Sequence, residues 1–131
     1  MPSQKNAINT ENAPKPVGPY NQAIVVGELV FCSGQIALDP MTGLMIGKGD
    51  VEKETSQVLK NLLAVLNEIN LDVSNIVKTT IFLVDLKDFE KVNRIYSDIF
   101  NDSVSPARAC VEVSGLPKKA KIEIDCIAYK H

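Results

Sequence analysis

Residues 50–70 set the first hard constraint on the fold, because Val51, Thr55, Val58, Leu62, Val65 and Ile69 recur at helical spacing. Asp50 supplies an N-cap and Asn70 ends the stripe. A long helix with one apolar stripe needs a second layer to cover. The flanking segments provide strands for it. Residues 21–26 and 29–36 read as two strands joined by Gly27-Glu28, a Gly-X turn suited to a tight hairpin. Residues 76–84 form a strand rich in β-branched side chains. Asp85 then caps a second helix whose apolar face is Phe89, Val92, Tyr96 and Ile99. Two further strands start near Ala107 and Ile122. The expected order is ββαβαββ, an α+β sandwich with two helices on one face of a mixed sheet.

Two helices cover only one face, yet residues 29–32, 81–84 and 109–113 are apolar at consecutive or alternate positions. That is too much apolar surface for a face left in water. The pattern predicts an oligomer whose sheets pack together.

At 131 residues the chain can bury a core without disulfides or a metal, and it reads as one domain over residues 1–131, with a loose polar start over 1–12. Cys32, Cys110 and Cys126 are odd in number, widely spaced and set in apolar runs, which speaks against a disulfide framework and points to a reducing, cytoplasmic setting. No run has the length of a signal peptide core or a membrane span. Fourteen basic against sixteen acidic residues give a net charge of −2. No basic stripe is present to neutralise phosphates, so nucleic acid is not an expected partner.

Chemistry concentrates in residues 106–125. Read as a strand from Ala107, Arg108, Cys110 and Glu112 share one face while Ala109, Val111 and Val113 share the other. The next strand alternates Glu123 and Asp125 against Ile122, Ile124 and Cys126. A guanidinium and two carboxylates are therefore expected on neighbouring strands. An arginine fork held on a strand can bind a carboxylate through two parallel hydrogen bonds, or it can form an ion pair with Glu112, Glu123 or Asp125 for solubility. The pattern leaves both open.

Upstream, three prolines force residues 13–19 into an extended path that delivers Tyr20 to a fixed place. Ser33 and Gly34 end an apolar strand, where a glycine admits close approach of a ligand or backbone. Asn93 lies beside the apolar face of the second helix and must find partners if buried. The only histidine is the last residue, His131, so a Ser-His or Cys-His dyad and a multi-histidine metal site have no basis in this sequence. No glycine-rich phosphate loop is present either. What remains suits positioning and proton handling on a reactive small molecule.

The run Pro106-Ala107-Arg108-Ala109-Cys110-Val111-Glu112-Val113, then Leu116-Pro117 and Ile122-Glu123-Ile124, resembles the signature of the Rid (YjgF/UK114) family of reactive intermediate deaminases. Matching segments include residues 11–14, Gly18-Pro19-Tyr20, Ser33-Gly34-Gln35-Ile36, residues 77–80, Asp88-Phe89 and Val92-Asn93, so the resemblance covers residues 10–130. It implies a homotrimer of chorismate-mutase-like subunits with ligand pockets in the clefts between them. It also implies a reaction needing neither cofactor nor metal: hydrolysis of 2-imino acids, such as 2-iminobutanoate and 2-iminopropanoate, to 2-oxo acids and ammonia. Carried over by motif, Arg108 clamps the substrate carboxylate and Glu123 orients the attacking water and relays a proton. Tyr20, Ser33, Gly34, Asn93 and Cys110 line the pocket, Cys110 without a nucleophilic role because no activator stands beside it. Ser105 departs from the family pattern, where an aromatic residue commonly precedes Pro-Ala-Arg, and Asn21 departs where serine is common. Two other functions use the same residues or name: a non-enzymatic module that senses a small carboxylate, and RNA cleavage or translation inhibition. The acidic balance and the missing histidine acid/base pair argue against the last.

Overall fold

The computed structural model describes residues 4–101 and 103–131. Its strands are β1 (Lys5–Ile8), β2 (Ala23–Val26), β3 (Leu29–Gln35), β4 (Ile76–Leu83), β5 (Ala107–Glu112) and β6 (Ile122–Tyr129), with helices α1 (Val51–Asn67) and α2 (Phe89–Phe100). They form a six-stranded mixed sheet in the order β1-β2-β3-β6-β4-β5. The expected α+β order is present, with one strand added. Lys5–Ile8, expected within a loose segment, pairs antiparallel with β2, because Val26 and its neighbours at the sheet edge offer backbone groups that an extended polar chain can satisfy.

Gly27 turns the β2–β3 hairpin with a φ of 58°, a backbone state that favours glycine. Asp50 caps α1 by accepting from the backbone N–H groups of Glu52 and Lys53. Asp85 caps a short 3-10 turn, Leu86–Asp88, instead of the second helix itself. Asp88 then occupies the N-cap of α2 with no side-chain hydrogen bond. That turn realigns the chain between β4 and α2 before the helix begins.

The last strand in sequence is central in space. β6 pairs antiparallel with β3 on one side and β4 on the other, while β4 and β5 run parallel and are joined through α2. Ile122, Ile124, Cys126 and Ala128 alternate onto the helix-covered face and are buried with Val30, Ile81, Leu83 and the α1 residues Val58, Leu62 and Val65. The opposite face is open. Leu29, Phe31, Val111 and Tyr129 remain about 40 % exposed on it or at its margins, large apolar side chains of the kind that mark an interface. Among the described residues, no helix is long and apolar enough to cross a membrane.

Candidate active site

The site residues fall into two groups, separated by the sheet. In the parallel register, Arg108 lies beside Thr79 of β4, whose side chain is buried beneath α2. Arg108 therefore points to the helix side of the sheet edge. Its guanidinium carbon stands 5.0 Å from the Tyr96 ring centroid and 5.4 Å from that of Phe89, both on α2. Its Nη1 donates to Asn93 Oδ1 at 2.7 Å. Tyr96 is itself fixed by a 2.7 Å hydrogen bond between its hydroxyl and Thr79 Oγ1. Burial pushes the Tyr96 phenol up, with the Thr79 bond and the Arg108 charge opposing that shift.

None of the carboxylates considered as ion-pair partners is paired with Arg108 among the described residues. The ion pairs there are Arg94 with Glu52 and His131 with Glu28. Glu112 Oε1 instead accepts the Leu86 backbone N–H at 2.9 Å. The guanidinium is thus aimed by two rings and one amide, with donors left for an anion. A groove of about 430 Å³ opens beside it, lined by Asn93, Tyr96, Ser97, Ser103, Ser105 and Arg108 among others. Cys110 shares this side of β5 and packs against the core margin; burial pushes its thiol up, only partly opposed by the Arg108 charge. A thiol so placed is a poor nucleophile.

Glu123 belongs to the other group. β4 intervenes between β5 and β6, and Glu123 lies beside Phe82, an odd step along β4 from Thr79 and so on the opposite face. The expectation of neighbouring strands is corrected here. Two strands consecutive along the chain need not pair, and β6 inserts between β3 and β4 instead. Within one copy of the chain, Arg108 and Glu123 therefore face opposite sides of the sheet.

Around Glu123 the structure gathers Tyr20, Gly34, Pro14, Lys15, Gln22 and Pro117 in a cleft of about 60 Å³. A bulge makes the close approach. The β3 partner advances from Cys32 to Gln35 while β6 advances only from Cys126 to Ile124, so Ser33 and Gly34 lie in the irregular stretch. A β-carbon built on Gly34 would stand 2.3 Å from Glu123 Oε2. Burial pushes the Glu123 carboxyl up, and the Asp125 charge adds to the shift.

Ser33 stands beside this cleft with its hydroxyl already engaged, donating to the Asn21 carbonyl at 2.6 Å. The Tyr20 hydroxyl accepts the Val17 N–H at 3.3 Å, which folds the proline-rich strap over its own ring. Sequence reasoning missed Gln22. Its side chain is buried and ties the strap down by donating to the carbonyls of Thr10, Ala13 and Pro14 and accepting from Thr10 N–H. The only signal was a glutamine at the start of an apolar strand.

One helical layer, an open apolar sheet face and an arginine lodged between a helix and an edge strand define the class of fold. The family model described as endoribonuclease L-PSP matches residues 10–130, and the chain belongs to that family, the YjgF/Rid family. A RutC family protein of Synechocystis is 54% identical over 92% of this chain and 93% of its own length. The human 2-iminobutanoate/2-iminopropanoate deaminase is 42% identical over 95% of this chain and 89% of its own. Among solved structures, E. coli TdcF with bound serine superposes with a TM-score of 0.91 at 38% identity, covering 96% of this chain and 99% of that one.

Proposed function

We propose that this protein hydrolyses the C=N bond of small 2-imino acids, such as 2-iminobutanoate and 2-iminopropanoate, to the 2-oxo acid and ammonia. The observation that carries this reading is a guanidinium with no carboxylate partner among the described residues, aimed by Asn93, Phe89 and Tyr96 at the sheet edge. Such a fork is built for a carboxylate. The deaminase name of the human relative and the serine bound to TdcF agree with a small amino-acid-derived ligand.

The site is completed between copies of the chain, since Arg108 and Glu123 face opposite sides of one sheet. The open apolar face supplies the contact surface, and a homotrimer in the cytoplasm is the assembly we propose. Arg108 of one protomer holds the substrate carboxylate, with Asn93 and Cys110 at its side. Glu123 of another orients a water, with Tyr20, Ser33 and Gly34 shaping the wall. The water oxygen bonds to the imine carbon as the C=N π pair moves to nitrogen and is protonated. The tetrahedral adduct then passes its hydroxyl proton toward nitrogen, the C–N bond breaks, and ammonia leaves as the carbonyl forms. Burial and the Asp125 charge raise the Glu123 carboxyl above its ordinary value, and a more basic carboxylate is the better acceptor for the proton of the attacking water.

The test is hydrolysis of 2-iminobutanoate generated in place by a threonine dehydratase, in competition with semicarbazide. Wild type is expected to speed release of 2-oxobutanoate and Arg108→Ala to lose that effect. If neither protein hydrolyses the imine while wild type still binds 2-oxobutanoate, the cleft is a sensor and the enzymatic reading is wrong.

A further inference from the structure

We propose that Glu54, in the first turns of α1, is a positioning residue for Glu123; the inference rests on the catalytic reading of Glu123 given above. Glu54 is completely buried, which is rare for a glutamate. Neither ion pair among the described residues involves it. Its oxygens are divided between two loops. Oε1 accepts the Lys121 backbone N–H at 2.8 Å, and Oε2 accepts the Gly49 backbone N–H at 3.1 Å. A side chain on α1 thus reaches across to the residue that immediately precedes β6, two positions before Glu123.

Lys121 is held at both ends of its backbone: Glu54 takes its N–H, and its carbonyl accepts from Val84 N–H at 3.2 Å. The segment before it is tightly wound. Lys118 and Lys119 both adopt positive φ, 56° and 59°, a state that side-chain-bearing residues adopt at a cost. Pro117, at the start of that turn, lines the Glu123 cleft. Glu54 therefore fixes both the start of the strand that carries Glu123 and one wall of its cleft.

Glu123 packs closely against the β3 bulge. Gly34 abuts its carboxylate so closely that a single added β-carbon would overlap it. Displacement of β6 by a fraction of an ångström changes where the carboxylate meets a water, and reactions that depend on orientation are sensitive at that scale. Among the described residues, Asp125 on its own strand raises the Glu123 carboxyl and Lys15 and Tyr20 line its cleft. Glu54 acts on it through the backbone.

The test compares Glu54→Ala, Glu54→Gln and Thr55→Val. The last removes a buried hydroxyl that, among the described residues, bonds to Val51 O at 2.6 Å within the same helix, so it reports general loosening of α1. For imine hydrolysis, Glu54→Ala is expected to lower kcat roughly 10- to 100-fold with KM within about twofold, since the carboxylate clamp is untouched. Glu54→Gln, which keeps one acceptor for Lys121 N–H, is expected to recover much of kcat, and Thr55→Val to keep it. Titration of the Glu123 carboxyl by carbon NMR gives a readout that does not depend on turnover. The two Glu54 variants lose the same acid group, so a lower Glu123 pKa in Glu54→Ala than in Glu54→Gln reports water admitted by the lost anchor. Unchanged kcat in folded Glu54→Ala, a kcat loss matched by Thr55→Val, or identical Glu123 titrations in both variants would overturn the proposal. An inactive wild type would overturn the catalytic reading instead, leaving the titration to decide the positioning role.

Discussion

Gly34 has no room for a methyl group: its β-carbon would lie 2.3 Å from Glu123 Oε2 and 2.8 Å from Glu123 Cδ. The obstacle is the end of a side chain and not backbone, so Glu123 yields and the strand does not. Gly34→Ala is expected to lose most imine hydrolysis while melting within a few degrees of wild type, checked by pairing a turnover assay with a thermal melt. The reverse pattern, normal turnover at a much lower Tm, would place Gly34 in folding alone. Arg108 offers the complementary case. It is exposed and its side-chain hydrogen bond goes to Asn93, so its replacement leaves the core intact. Charge-assisted hydrogen bonds are worth roughly 1.5–3 kcal/mol each. Loss of two in Arg108→Ala predicts a fall in kcat/KM of at least about a hundredfold. Arg108→Lys should recover little of it, because one ammonium cannot reproduce a planar fork.

At the scale of elements, α1 covers the sheet core with Val58, Leu62 and Val65, and Asp50 starts it. Asp50→Ala frees the N–H groups of Glu52 and Lys53, with an expected cost of about 1 kcal/mol in chemical denaturation. A neutral result would mean that neighbouring groups take over the cap. This helix, the β2–β3 hairpin and the alternation of β5 and β6 were all legible in the sequence, because each depends on periodicity or on a turn a few residues long. The pairing of β6 between β3 and β4 was not. Strand order is decided by contacts far apart in the chain, and the correct alternation of Arg108 and Glu123 gave no hint that β4 would part them. Lys5–Ile8 carried no strand signal of its own and is ordered by the edge it joins. Glu54, Gln22 and Asn61 were invisible for a related reason. Each is a polar residue whose role lies in a distant backbone group, as with Asn61 and the carbonyls of Ile36 and Leu38. Family resemblance, in contrast, named candidate residues for the site, but not which of them lie on the same side of the sheet.

The whole molecule has one covered and one uncovered sheet face. Phe31 stands on the uncovered face beside Ile127 of β6, so Phe31→Glu is expected to dissociate the assembly in sedimentation and to lose activity with it. An intact, active oligomer would move the interface elsewhere. In the dissociated protomer no second copy supplies a guanidinium, and the raised pKa of Glu123 has a consequence for stability. The folded chain binds that proton more tightly than the unfolded chain. The resulting stabilisation is complete below the ordinary glutamate pKa and is lost as pH rises through the raised value. In the Phe31→Glu background, Glu123→Gln should therefore melt higher than its parent at neutral pH, with the difference vanishing in acid. Equal melts at both pH values would show that the carboxyl is not strained by burial.

The central claim is that one protomer gives Arg108 and another gives Glu123 to each cleft. Arg108→Ala and Glu123→Ala chains, each inactive alone, can be unfolded together in equal amounts, refolded and assayed on 2-iminobutanoate. A cleft that draws its two residues independently receives both intact in about a quarter of cases, whatever the size of a cyclic ring. The account predicts recovery of about a quarter of wild-type activity in the mixture. If the mixture stays as inactive as its components although hybrid oligomers have formed, the two residues serve the same protomer's site and the account is wrong.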